Sequence, residues 1–263
     1  AHPFRIGLHL TESPRYPDTT MFRVSLATRP ADRSKRPTHL IYLVDVSGSM
    51  SSTDKLPLAK TLATHSVNTL APTDKVSLVT YAGSTRIAFE GAEVGDGATV
   101  RAAIDALDAG GGTFGAGGLD LAYEVAERHF IEGGLNHVVL CTDGDFNIGP
   151  SSTSELVELI ESKREQGVTL TALGFGYGVN DQMLELVSNK GNGIYSVIYD
   201  EDRAIAYAHE DLLATAEHVA KDVKIQVEFN PDHVSAWRQI GYDNRQLPDM
   251  AFRDDTVDAG EVG

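Results

Sequence analysis

The chain has 263 residues, enough to bury a full hydrophobic core with room for an annex. Its 22 Lys and Arg stand against 38 Asp and Glu, a formal net charge of −16, which argues against a nucleic-acid partner, since phosphate binding needs a basic face. No run approaches the ~18 apolar residues of a membrane span, so no membrane insertion by this chain is expected, and a single cysteine, Cys141, excludes an internal disulfide.

Taken in order, PFRIGLHL and MFRVSLAT read as two strands around the turn SPRYPDTT, within residues 3–28. The polar, proline-flanked stretch RPADRSKRPT reads as a linker. Residues 39–44, HLIYLV, form a short run rich in Leu, Ile, Val and Tyr, the pattern of a strand buried on both faces. A helix is expected from about residue 54 to 70, with Pro57 in its first turn. KVSLVTYA and TRIAFE are further strands, and VGDGATVRAAIDAL a helix. Residues 109–118, AGGGTFGAGG, contain six glycines and lead into the helix LDLAYEVAERHF. HVVLCTD is another buried strand ending in an acid, with Cys141 as a small core residue. The segment SSTSELVELIESKREQG carries helix caps, an early Glu and late basic residues before Gly167. VTLTALGFG and GIYSVI are strands, NDQMLELVSNKG a helix, and 203–219 a last helix. DVKIQVEFN, 222–230, returns to β character, as does WRQIGYDN to a weaker degree.

The repeated strand–helix alternation predicts a doubly wound, mostly parallel, Rossmann-like α/β sheet flanked by helices. The outer strands predict a small β annex formed by the N- and C-terminal strands. The expected division is 1–36 for the N-terminal annex strands, 37–220 for the α/β domain and 221–263 for the C-terminal annex.

The site candidates lie where the buried strand 39–44 stops. Asp45 follows it abruptly, then Ser47, Gly48 and Ser49. Alternate residues of a looping backbone can point the same way, so Asp45, Ser47 and Ser49 can offer three oxygens to one hard cation. The plain alternative, a turn-forming Asp with helix-capping serines, suits an isolated D-x-S better than this context. Asp143 ends a second buried strand. In an open parallel sheet, ligands gather at the carboxyl ends of strands where the strand order reverses. Two carboxylates there repel unless a cation joins them. The Gly-rich stretch lacks the Lys and Ser/Thr of a P-loop and is a poor phosphate cradle.

DVSGSM resembles the first element of the metal-ion-dependent adhesion site of von Willebrand factor type A domains. That family carries a ligating Thr in a Gly-rich turn before a helix, which the resemblance places at Thr113. It assigns the third element to Asp143 in TDGDFN, leaving Asp145 as a solvated or capping residue. A narrower resemblance, to YfbK-type bacterial type A proteins, rests on GGLNHVVLCTDGDFNIG, LGFGYGVND, AKDVKIQVEFNP and IGYDNRQL. It implies that this chain begins after their N-terminal region and stops inside their C-terminal one. It also implies an extracytoplasmic location, at the cell surface or in the periplasm. The family pattern implies direct ligation of Mg²⁺, or of Mn²⁺ or Ca²⁺, by Ser47, Ser49 and Thr113. Asp45 and Asp143 then act largely through bound water, and a Glu or Asp of a protein partner completes the coordination. The expected function is a non-enzymatic, metal-dependent protein-binding module.

Two alternatives stand beside it. A Mg²⁺-dependent phosphohydrolase would use Asp45 as nucleophile, but Ser47 occupies the position where such enzymes need a second acid. A metal-stabilised structural module would bind metal and nothing else. A serine hydrolase is disfavoured, since Ser47 lies outside any G-x-S-x-G.

Overall fold

Strand β3, Thr38–Asp45, is buried along its whole length. Its alternation divides the core in two. Leu40, Tyr42 and Val44 enter one apolar cluster with Leu58 and Leu62, and Ile41 and Leu43 enter another with Leu119 and Ile160. Helices therefore cover both faces of the sheet, the condition under which a continuous apolar strand is stable. Fully burying side chains such as Leu40, Ile41 and Leu43 stabilises the fold by roughly 1.5–3 kcal/mol each. The computed structural model describes residues 4–28, 36–112, 115–144, 153–177, 179, 181–216, 223–240 and 252.

The chain divides into two compact units, residues 31–217 and residues 1–30 with 218–263. In the larger unit the elements after β3 are a 3₁₀ turn Gly48–Ser51, α1 Leu56–Val67, β4 Lys75–Tyr81, β5 Thr85–Glu93, α2 Ala98–Asp105, α3 Gly115–Arg128 and β6 Leu135–Thr142. They continue as α4 Thr153–Glu165, β7 Val168–Phe175, α5 Asp181–Lys190, β8 Tyr195–Ile198 and α6 Glu201–Ala206. A π turn, Tyr207–Asp211, then leads into α7, Leu212–Ala216. The sheet order is β5-β4-β3-β6-β7-β8. All pairs are parallel except β4–β5, a hairpin that gives the sheet an antiparallel edge. The strand expected over 85–90 extends to Glu93 because that hairpin supplies its ladder. The last helix starts two residues earlier than expected, at Glu201, because the Asp200 carboxylate accepts from the Arg203 N–H at 2.7 Å.

The smaller unit contains β1, Phe4–Glu12, and β2, Thr20–Thr28, paired antiparallel from Phe4↔Thr28 to Glu12↔Thr20. The C-terminal part departs from the sequence expectation. Residues 223–230 and 237–240 form no strand, so among the described residues the sheet of this unit is the β1–β2 hairpin; residues 241–244, the rest of WRQIGYDN, lie outside them. Side chains rather than a ladder tie this segment to the hairpin. The Phe22 and Phe229 rings meet edge to face at 5.9 Å, and Phe229 lies 5.7 Å from Trp237.

Candidate metal centre

The chain runs outward from β3 to β4 and β5, then returns to place β6 on the other side of β3. The strand order therefore reverses between β3 and β6, and in open α/β sheets it is at the carboxyl ends of such strands that ligands bind. Val44 pairs with Cys141 in the ladder, so Asp45 and Thr142 come next to each other and Asp143 follows.

Beyond Asp45 the backbone stays anchored. Val46 N–H donates to the Tyr81 carbonyl at 2.9 Å, at the end of β4. Ser47 occupies the N-cap position of the 3₁₀ turn that carries Gly48 and Ser49, without a side-chain capping bond. The Gly-rich stretch is drawn onto this loop by two backbone bonds. Gly48 N–H donates to Gly111 O at 3.0 Å, and Gly110 N–H donates to Val46 O at 2.7 Å. Gly111 has φ +84°, a conformation that glycine adopts without penalty. Thr113, two residues further on, and Asp145 lie outside the described residues.

Asp45 is fully buried. Its Oδ1 accepts the Ser47 N–H at 2.8 Å, and its Oδ2 accepts the Thr142 hydroxyl at 3.3 Å. Burial raises the Asp45 pKa above the usual carboxylate range; the bonds from Ser47 oppose this, and the Asp143 charge adds to it. The Ser47 and Ser49 hydroxyls stand 2.9 Å apart. Asp143 is buried, and its Oδ2 meets the Lys55 ammonium at 3.0 Å. The same ammonium donates to the Ser49 carbonyl at 3.0 Å. Gly144, at φ +97°, turns the chain away from β6 while its N–H donates to Thr142 Oγ1 at 3.2 Å.

Four of the five expected ligands, Asp45, Ser47, Ser49 and Asp143, therefore gather at one end of two adjacent strands. Their donors are all oxygens, the chemistry of a hard cation. The Ser47 and Ser49 hydroxyls, within hydrogen-bond distance of each other, are close enough for one ion with Mg²⁺–O bonds of about 2.1 Å to reach both. The residues fit such an ion. Among the described residues no cluster of three His, Cys, Asp or Glu forms another kind of metal site. Burial pushes the Cys141 thiol up to about 12, which makes it a core residue rather than a soft ligand.

Two participants were not anticipated from the sequence. Thr142 orients Asp45, and Lys55 spans Asp143 and Ser49. The available signal for Lys55 was its place at the N-terminus of α1, where a cation opposes the helix dipole and a Ser or Asp is the usual residue.

The model of the von Willebrand factor type A domain matches residues 39–210, from β3 through the π turn that follows α6. The chain belongs to the von Willebrand factor type A domain family. A second family, "Uncharacterized protein YfbK, C-terminal", matches residues 214–263. The uncharacterized protein YfbK of Escherichia coli is 39% identical over 99% of this chain and 46% of its own length. This chain spans less than half the length of the curated relatives it matches. Among solved structures, the von Willebrand factor type A protein from Catenulispora acidiphila aligns with TM-score 0.57 and 16% identity, over 79% of this chain and 48% of that one. Proximal thread matrix protein 1 from the mussel byssus, in a form with a zinc-occupied MIDAS motif, aligns with TM-score 0.53 and 19% identity, over 66% and 46%. These two structural likenesses carry the type A fold. No helix among the described residues is long and apolar enough to cross a membrane.

Proposed function

We propose that this type A domain is a metal-ion-dependent protein-binding module, in which Asp45, Ser47, Ser49, Thr113 and Asp143 hold Mg²⁺ and an acidic side chain of a partner protein completes the coordination. The observation that carries this reading is the Ser47–Ser49 hydroxyl pair, 2.9 Å apart, beside two buried carboxylates at the switch point of the sheet. The zinc-occupied site of the byssus relative adds support from the same fold.

In this reading Ser47, Ser49 and Thr113 supply neutral oxygens, so the ion keeps enough charge to attract a carboxylate. Asp45 holds the serine loop through the Ser47 N–H and balances charge from below. Asp143 balances charge from the β6 side. The ion's contribution is Lewis acidity toward one ligand oxygen. Asp45 is unsuited to a nucleophile's task, because it is fully buried with both oxygens hydrogen-bonded. This supports binding rather than phosphoryl transfer.

Calorimetric titration of metal-stripped protein with Mg²⁺ and Mn²⁺ tests the reading, beside Asp45→Ala and Thr113→Ala. The expected result is saturable binding of about one ion per chain, lost or much weakened in both variants. Wild-type binding that survives both substitutions would remove these residues from the site. A partner interaction indifferent to chelator would remove the metal from the function.

A further inference from the structure

Lys55 occupies a position that the helix it starts does not favour. It stands at the N-cap of α1 with no side-chain capping bond, at the end of the helix where positive charge is unfavourable. Its side chain runs instead toward Asp143, just past the end of β6. A Cβ at Gly176, just beyond the end of β7, would lie 2.9 Å from Lys55 Cε and 3.1 Å from Cγ, so the lysine stem passes close over that glycine. The ammonium then meets Asp143 Oδ2 and the Ser49 carbonyl, each at 3.0 Å. The lysine side chain is 22% exposed and the Asp143 side chain 3%, so water screens this pair far less than a surface ion pair.

We propose that Lys55 is a tethered counter-cation that competes with the divalent ion for Asp143 and sets the metal concentration at which the site fills. The inference rests on the metal-site reading above and goes beyond the ligand set. Without a divalent ion, Asp45 and Asp143 are two carboxylates at one strand end, and the ammonium offsets their repulsion. An ion placed among Asp143, Ser47 and Ser49 faces the same ammonium as a like charge, so Lys55 must withdraw or weaken the binding. With the ion held and Lys55 at the rim, the centre carries one positive charge in excess. That favours an anionic group on the partner.

The test is calorimetric titration of the metal-stripped chain with Mg²⁺ for wild type, Lys55→Met, Lys55→Gln, Lys55→Arg and Lys190→Met. Lys190 pairs with Glu161 on α4 and serves as the charge control. Removing the ammonium should tighten Mg²⁺ binding about tenfold or more in both neutral variants, a change of about 1.4 kcal/mol. Lys55→Arg should bind no tighter than wild type, and Lys190→Met should leave affinity unchanged. In chelator, both neutral variants should melt below wild type and recover when Mg²⁺ is added. Binding by a neutral variant alone would support the proposal most strongly. Wild-type binding that neither neutral variant tightens would overturn the role of Lys55 and leave the metal reading standing. Equal tightening in Lys190→Met would also overturn it, as a general charge effect. No binding in any variant would bring down the metal reading and this inference together.

Discussion

Gly48 donates its backbone N–H to the Gly111 carbonyl at 3.0 Å, so the serine loop and the Gly-rich loop are joined before any ion is considered. A Cβ at Gly48 would stand 3.3 Å from that same carbonyl oxygen. Gly48→Ala must therefore push the Gly-rich loop by a few tenths of an ångström. The expected outcome is several-fold weaker Mg²⁺ binding by calorimetry, with a thermal stability loss below ~1 kcal/mol, because positioning is more sensitive than packing here. Unchanged affinity would show that the loop junction does not position the ligands.

Metal should stabilise the fold through mass action. At a free Mg²⁺ concentration about a hundredfold above Kd, the gain is ~2.7 kcal/mol. For a chain of this size that amounts to a rise in Tm of several degrees, at about 2–4 °C per kcal/mol. Asp45→Asn should abolish the rise. In chelator the same variant should melt within about 1 kcal/mol of wild type, since burial already disfavours the Asp45 charge and an amide oxygen can still accept from Ser47. A Mg²⁺-dependent rise that persists in Asp45→Asn would argue for an ion bound elsewhere.

His39 makes stability fall with acid. It is fully buried at the start of β3, with Nε2 2.8 Å from Ser77 Oγ. Its Nδ1 has no hydrogen-bond partner among the described residues, so a proton there would find no acceptor. Burial, then the His129 and Lys75 charges, lower its pKa from 6.5 to about 4. The unfolded chain thus binds the extra proton between pH 6.5 and about 4, and the native chain does not. The His39 contribution is complete above pH 6.5 and is lost as pH falls toward 4, by up to about 3 kcal/mol. The Asp45 shift has the opposite sign, because a raised carboxyl pKa favours the fold at low pH. Denaturant unfolding at several pH values should therefore show a shallower acid slope in His39→Gln than in wild type. Equal slopes would assign the acid sensitivity to other groups.

Tyr42 and Ser66 form a buried hydroxyl pair between β3 and α1. The Ser66 hydroxyl donates onward to the Ala63 carbonyl at 2.8 Å, so the Tyr42 hydroxyl is the donor to Ser66. The two truncations should be unequal. Ser66→Ala leaves a buried phenol without its acceptor and should cost about 1–3 kcal/mol in urea unfolding, whereas Tyr42→Phe leaves Ser66 bonded and should cost about 1 kcal/mol. The reverse order would place the donor on Ser66.

Much of the fold was legible because its signals are local. HLIYLV announces a doubly buried strand, and Gly167 ends α4 in a left-handed turn at φ +93°. Asp45, Ser47 and Ser49 come together within five residues, so the backbone that carries them also groups them. The proposed C-terminal strand misled because β character in DVKIQVEFN requires a partner strand, and pairing is a property of the fold rather than of the segment.

The sequence by itself determined the alternation of strands and helices, the oxygen-only character of the candidate ligands and the Asp at each of two strand ends. Burial patterns and donor chemistry belong to the residues themselves. Only the tertiary structure decided that β6 lies against β3, that Thr142 holds Asp45, that Gly111 anchors the serine loop, and that Lys55 faces Asp143 across 88 positions of chain. Each of these joins groups far apart in sequence, and their meeting depends on the order of strands in the sheet, which no local pattern encodes.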